Sequence, residues 1–359
     1  MPGLIKFPTF PADVPTHPLL VIDYTLLKAG DHDELDKFWK AATELGFWYL
    51  KNHGIDHEVN AMFDLGAQTF ALPAEEKVPY SYKGDGSSFG YKPIGTNVID
   101  EKGTRDTTEA MDVAQDDVLA YPKSVHHTYP VTVRENMNSV LRPFVEKSME
   151  INMYFLSIMD DRLGLPQGTL AGLNKPEEPN GGTVRLIRAA PAITPNAQTF
   201  VTAHTDFGAL TLLHNRLGGL QVLVPGVETW QYVKPLEGHI ICNIGDALHF
   251  FSGGILRSNI HRVIPPPKEQ AKLERWSLVF FTRPNFNAPL RPLSQHSTII
   301  ANAVVHAPNP GKFDTGMTAG EWLAHRNAAT RATKYKDPST WKASFKGTED
   351  REILGVVEN

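Results

Sequence analysis

In the stretch TAHTDFGALTLL, residues 202–213, an imidazole, His204, and a carboxylate, Asp206, stand two positions apart. Residues two apart on a β-strand share a face and lie roughly 6.6 Å apart along it, so both side chains can look into one cavity. Alone, such a pair is most often a solvated or satisfied polar pair. A third group changes that reading. SNIHRV supplies His261 at the head of another expected strand, 55 positions beyond Asp206. Two imidazoles and one carboxylate leave coordination positions open, which suits a redox-active iron. Fourteen residues on, ERWSLVFF places Arg275 and Ser277 two apart on one strand face. A guanidinium grips a carboxylate through two parallel hydrogen bonds, and a neighbouring hydroxyl adds another. The competing reading of Arg275 is an ordinary ion pair.

These groups have to be held by the second half of the chain. From 183 to about 286 there are short runs rich in Val, Ile, Leu, Thr and Phe: TVRLIRAA, ALTLLHN, LQVLV, WQYVKP, HIICNIG, HFFS, HRVI and RWSLVFFTR. Gly, Pro and Asn punctuate them, as in an antiparallel sandwich or barrel. The first half reads differently. DELDKFWKAATELGF is an amphipathic helix, with Leu35, Phe38, Trp39, Ala42 and Leu45 at helical spacing and Gly46 as its stop. EVNAMFDLGAQTFAL is a second helix, ended near Pro73, and residues 131–165 are the longest helical stretch, interrupted at Pro143. LLVIDYTLL (19–27) and FWYLKN read as strands. Residues 1–17 read as Pro-rich and extended, and 80–106 as hairpins or loops. Thr318 and Glu321 stand in capping-box spacing and open a helix over 318–334. With no linker between the halves, the expectation is one structural unit. In it residues 1–175 pack on a β core at 176–295, and 296–359 form a helical tail.

Composition narrows the class. The chain has 359 residues, 41% hydrophobic and 21% charged, as in a globular protein, and a net charge of −5 gives no argument for nucleic acid or an anionic membrane. One cysteine, Cys242, excludes an internal disulfide and a cysteine zinc cluster. No run reaches the ~20 apolar residues of a membrane span, and the start lacks a leader pattern, so a cytoplasmic protein is expected. Three patterns are set aside. HEVNA (57–61) lacks the second histidine of a zinc-protease helix. GDGSSFG (84–90) lacks the Lys-Ser/Thr of a phosphate loop. His126 and His127 are read as surface residues. No Gly-x-Ser-x-Gly supports a hydrolase.

Taken together, GFWYLKNHGI, FALPAEEK, HTDFGALTLL, GGLQVLV, NIGD, SNIHRV and ERWSLVFF resemble the Fe(II)- and 2-oxoglutarate-dependent dioxygenases of the isopenicillin N synthase-like family, over residues 17 to 290. The resemblance implies a mainly β fold with flanking helices, a double-stranded β-helix or jelly roll. It implies His204, Asp206 and His261 as iron ligands. Arg275 and Ser277 become the anchor for the distal carboxylate of 2-oxoglutarate. The implied reaction turns 2-oxoglutarate and O₂ into succinate and CO₂ while a small organic metabolite is oxidised, by hydroxylation as the default. Neither nucleic acid nor membrane is implied as a partner. Three alternatives stay open at this point: an iron oxidase on the same fold that does not use 2-oxoglutarate, a non-catalytic small-molecule binding barrel, and a metal-dependent isomerase or hydrolase on a related barrel.

One position departs from the family. Many relatives carry a Tyr in the strand before His-x-Asp, where it also holds the co-substrate; here RLIRAAP offers only Ala189 or Ala190. Alternation also aligns Phe281 and Arg283 with Arg275, and it sets Arg185 on an inward face of the preceding strand. With Phe207 beside Asp206, these residues outline a substrate mouth for a ring or chain with an anionic end. The competing reading pairs Arg185 or Arg283 with Glu109 or Asp112.

Overall fold

The computed structural model describes residues 8–83, 88–192, 199–227 and 229–337. Within them the strands are β1 (Val21–Asp23), β2 (Phe47–Lys51), β3 (Gly90–Lys92), β4 (Thr108–Ala114), β5 (Thr183–Ala189), β6 (Val201–His204), β7 (Leu210–Asn215), β8 (Leu220–Val224), β9 (Thr229–Tyr232), β10 (Ile240–Ile244), β11 (His261–Val263) and β12 (Arg275–Thr282). They form a large sheet ordered β1-β2-β10-β7-β12-β5-β4-β3 and a small one ordered β6-β11-β8-β9. The sheets face each other as the layers of a jelly roll. Tyr49, Leu213 and Ile241 of the large sheet pack with Leu220, Val222 and Val263 of the small one. Helices Asp56–Ala71 and Arg142–Arg162 cover the other face of the large sheet, where Phe63 and Phe155 join Leu186, Leu212 and Phe280 in the main core. No helix among the described residues is long and apolar enough to cross a membrane.

Cross-strand register decides what looks inward. Val279 lies opposite both Leu213 and Arg185, and Leu213 faces the small sheet. Side chains alternate along β12, so Arg275, Ser277 and Phe281 share that inward face, and Arg283 follows just past the strand. One row across the large sheet therefore reads Phe47, Asn243, Thr211, Phe281, Thr183. The neighbouring row reads Tyr49, Ile241, Leu213, Val279, Arg185, Asp112.

Several local expectations are corrected. LLVIDYTLL is only half strand: the Asp23 carboxylate accepts from Thr25 N and Leu26 N and starts helix Tyr24–Lys28. HFFS is not a strand but part of helix Asp246–Phe251. The first N–H groups of that helix have no acceptor of their own; Asp246 N and Ala247 N donate to Asp206 O (2.8 Å) and Gly208 O (3.0 Å). The long helical stretch breaks at Asn136 into a π-helical turn, Met137–Leu141, and Pro143 falls harmlessly in the first turn of Arg142–Arg162. His126 and His127 are not surface residues. Asp117 accepts from backbone N–H groups of residues 125, 126 and 127 and draws the turn inward, burying His127 and setting His126 Nε2 2.7 Å from Asp116. The capping box at Thr318 and Glu321 is formed and opens helix Ala319–Thr330. Residues 84–87 of GDGSSFG, 1–7 of the Pro-rich start and 338–359 of the tail lie outside the described residues.

Candidate metal centre

β6 and β11 pair antiparallel with His204 directly opposite His261. Their rings lie 4.3 Å apart, and Phe47 packs edge-on against His261 at 5.2 Å. Asp206 is not on the strand, because β6 ends at His204. It sits in the following turn, which is tied to helix Asp246–Phe251 and to Thr282 O through Ala209 N. The turn still brings its Oδ1 to 3.8 Å from each histidine Nε2. One ligand atom from each of the three residues falls within 4.8 Å of the others.

The remaining polar atoms of the trio are engaged in a way that aims the free ones at a common point. His204 Nδ1 lies 2.7 Å from Thr202 O and His261 Nδ1 3.1 Å from Asn259 O. A carbonyl only accepts, so each Nδ1 carries the proton and each Nε2 keeps its lone pair. Asp206 Oδ2 accepts from Thr211 Oγ1 at 2.6 Å and Asn243 Nδ2 at 2.7 Å, the two inward neighbours in the first row, which leaves Oδ1 free. The gap of 3.8 Å is too long for a hydrogen bond. Burial, and then the charge of His261, lower the His204 pKa to about 3, so its imidazole is neutral, as a metal ligand must be. Burial would raise Asp206, but His261 and His204, then Asn243 and Thr211, hold its carboxyl below the usual range. Two imidazole Nε2 atoms and a carboxylate oxygen converging on one gap form a donor set that fits a divalent iron.

Arg275 and Ser277 are both buried on the inward face of β12, with Arg275 Nη1 donating to Ser277 Oγ at 2.6 Å. Arg275 Nε donates to Gly218 O at 2.8 Å. Gly218 and Gly219 let the backbone come this close: a Cβ on Gly219 would lie 2.5 Å from Ile264 O and 3.1 Å from Arg275 Nε, and its φ of +112° already excludes most side chains. Arg275 Nη2 is buried with no acceptor, and no carboxylate faces it among the described residues. Desolvation without a counter-charge lowers its pKa to about 10. A buried cation with an unused donor fits an anionic ligand carboxylate. Ala189, not Ala190, is the residue opposite Arg275, so no tyrosine stands there.

The four mouth residues have different surroundings. Arg185 Nε is bound to Asp112, which also accepts from Tyr82 Oη; that neighbour raises the Arg185 pKa despite burial. Arg283 has no acidic hydrogen-bond partner among the described residues. Phe281 lies between the two guanidiniums, 5.3 Å from Arg185 Cζ and 4.9 Å from Arg283 Cζ. Phe207 lies under a residue not singled out above, Arg326, whose Cζ is 4.6 Å from the ring centre.

Arg326 comes from helix Ala319–Thr330 and is buried. It donates to Asp246 Oδ2 and to Thr205 O, both at 3.3 Å. Thr205 separates His204 from Asp206, and Asp246 N holds Asp206 O. Helix Ala319–Thr330 is thus bolted to the turn that carries Asp206, and Arg326→Met should weaken metal binding roughly tenfold, the low end for loss of an outer-shell support. Competition with a chelator measures it, and Arg326→Lys should recover part of the loss. A fall in melting temperature with unchanged metal affinity would make Arg326 only a packing residue.

Comparison with known proteins follows the same lines. Residues 183–284 match the family model for the 2OG-Fe(II) oxygenase superfamily, and residues 19–147 match the non-haem dioxygenase in morphine synthesis N-terminal model. A 2-oxoglutarate-dependent dioxygenase of Dothideomycetidae sp. is 30% identical over 277 residues, which is 76% of this chain and 84% of that one. Homoarginine-6-hydroxylase of Oryza sativa is 31% identical over 271 residues, 70% and 78% of the two chains. A full-length Neurospora crassa protein, solved in complex with alpha-KG and thymine, superposes with a TM-score of 0.70 at 22% identity, covering 87% of this chain and 96% of that one.

Proposed function

Since this chain belongs to the 2OG-Fe(II) oxygenase superfamily, we propose that His204, Asp206 and His261 hold Fe(II) and that Arg275 and Ser277 hold the far carboxylate of 2-oxoglutarate. The protein is an Fe(II)- and 2-oxoglutarate-dependent dioxygenase, an oxidoreductase with a small-molecule substrate. Bound iron supplies redox chemistry in which 2-oxoglutarate and O₂ yield succinate and CO₂, with the second oxygen atom available to oxidise the substrate. Hydroxylation is its outcome in our reading.

The chain's own part is positioning. Thr202 O and Asn259 O fix the tautomer and tilt of both imidazoles, and Thr211 and Asn243 fix which Asp206 oxygen stays free. The Arg275 fork is held by Gly218 and Ser277, so it need not be ordered when the co-substrate arrives. One observation carries the reading of the co-substrate site: a buried guanidinium with an unused donor and, among the described residues, no counter-charge, on the inward face of the sheet that also supplies Thr211 and Asn243. Two readouts test it. Succinate should form from 2-oxoglutarate when Fe(II), O₂ and a panel of small metabolites are supplied, and should stop with a chelator. Independently, Mn(II) with 2-oxoglutarate should raise the melting temperature, since a ligand at a hundredfold its Kd stabilises by about 2.7 kcal/mol. Absence of both would overturn the proposal.

A further inference from the structure

The cations that line the inward face do not balance, and the imbalance says what the substrate carries. Arg185 is neutralised by Asp112, and Arg326 by Asp246. On the reading above, Fe(II), Asp206, Arg275 and the 2-oxoglutarate dianion sum to zero. Arg283 is left over. Its Nη1 donates to Gly181 O and to Thr183 Oγ1, both neutral. Its Nε is buried and has no acceptor among the described residues. Its stem passes between Gly208 and Gly181: a Cβ on Gly208 would lie 2.7 Å from Arg283 Cγ, and one on Gly181 3.1 Å from Cδ. Gly208 is two residues from Asp206, so the guanidinium is held close to the metal turn. Desolvation, then the charge of Arg185, depress its pKa to about 10, the direction expected of a cation that lacks a counter-ion.

The geometry points to a substrate that is a small organic monoanion, a carboxylate on an apolar ring or chain, whose carboxylate takes the open Nε–Nη2 edge of Arg283. Two bonds to Gly181 O and Thr183 Oγ1 fix the plane of the fork, leaving that edge for a bidentate acceptor. Phe281 supplies an apolar face 4.9 Å from Arg283 Cζ, and Phe207 precedes Gly208, against which the Arg283 stem packs. A dianion would meet only one uncompensated charge, and a neutral ligand would leave a buried cation unpaired, so both are selected against. This inference rests on the assignment of Arg275 to 2-oxoglutarate, because a substrate anchored at Arg275 would change the count.

Calorimetric titration of the anaerobic protein, loaded with Fe(II) and 2-oxoglutarate, tests it. The probes are 3-phenylpropionate, cyclohexylacetate and octanoate, each beside its carboxamide. At least one acid should bind about tenfold or more tightly than its amide, the effect of one charge-assisted contact. Arg283→Gln should bring that ratio close to one, and Arg283→Lys should keep part of it. Because Arg283 also ties Gly181 to Thr183, a second variant leaves those bonds alone. Asp112→Asn removes the charge that balances Arg185 and should raise the acid-over-amide ratio. The inference is overturned if no acid is preferred to its amide, if the preference survives Arg283→Gln, or if Asp112→Asn leaves the ratio unchanged. Titrating 2-oxoglutarate into the Fe(II) protein beforehand separates the two failures. Loss there removes the co-substrate assignment, whereas normal 2-oxoglutarate binding with no acid preference removes only the role of Arg283.

Discussion

His204→Ala and Asp206→Ala should each lose iron binding and turnover, and neither should unfold. Three donors converge on one gap, and removing one leaves an incomplete set. The fold survives because these side chains line the space between the sheets, while the core is carried elsewhere by residues such as Phe63, Phe155, Leu212 and Phe280. The two variants should differ in stability. His204 is partly exposed, and its loss frees only Thr202 O, a cost of about 1 kcal/mol. Asp206→Ala strands the Thr211 hydroxyl and the Asn243 amide in a buried site, at about 1–3 kcal/mol for each donor left unpaired. Asp206→Asn keeps the volume and lowers the charge, and it should also fail to hold iron. Metal analysis of the purified protein, succinate formation and a melting curve measure these effects. Normal turnover in either alanine variant would remove the metal centre proposed here.

The residues of the candidate site were legible because their spacing is local in sequence: His-x-Asp, His-Arg-Val and Arg-x-Ser each fit within a few residues. Its support was not, because that depends on register. Asn243 lies in NIGD and Thr211 in HTDFGALTLL, yet only the pairing of β7 with β10 sets them side by side under Asp206. The same limit explains the strand expected at Asp206. Apolar alternation continues past His204, but the carbonyls of Asp206 and Gly208 are taken by the helix that starts at Asp246, and the strand stops. HFFS misled for a related reason. Four apolar or aromatic residues fit strand or helix equally well at that length, and the choice is made by acceptors that lie about 40 residues earlier in the chain. Arg326 had no signal in its neighbourhood, since it acts on Thr205 and Asp246 from a separate helix. By contrast, the Thr318–Glu321 cap and the Gly46 stop are short-range, and their residue types suffice.

Replacing Arg275 by leucine should raise the 2-oxoglutarate requirement roughly 10- to 150-fold, the equivalent of the 1.5–3 kcal/mol of a charge-assisted contact. Iron affinity should stay close to that of the parent, because Arg275 touches none of the three ligands. The same substitution has an unusual expectation for the protein without co-substrate. Below the depressed folded pKa, the guanidinium is charged in both states and the folded state bears its desolvation. That cost is therefore present at neutral pH and fades only as pH rises above about 10. Leucine abolishes it but also frees Gly218 O and Ser277 Oγ from their donor, so gain and loss oppose each other and the melting temperature should move little or rise. What disappears is the further rise on adding 2-oxoglutarate. Arg275→Lys should not restore it: one ammonium cannot hold Gly218 O and Ser277 Oγ and still present a planar fork to a carboxylate. Titrations of 2-oxoglutarate, followed by succinate formation and by melting temperature, read both effects. An unchanged requirement in Arg275→Leu would take the residue out of the co-substrate site, and the buried charge would then need another ligand.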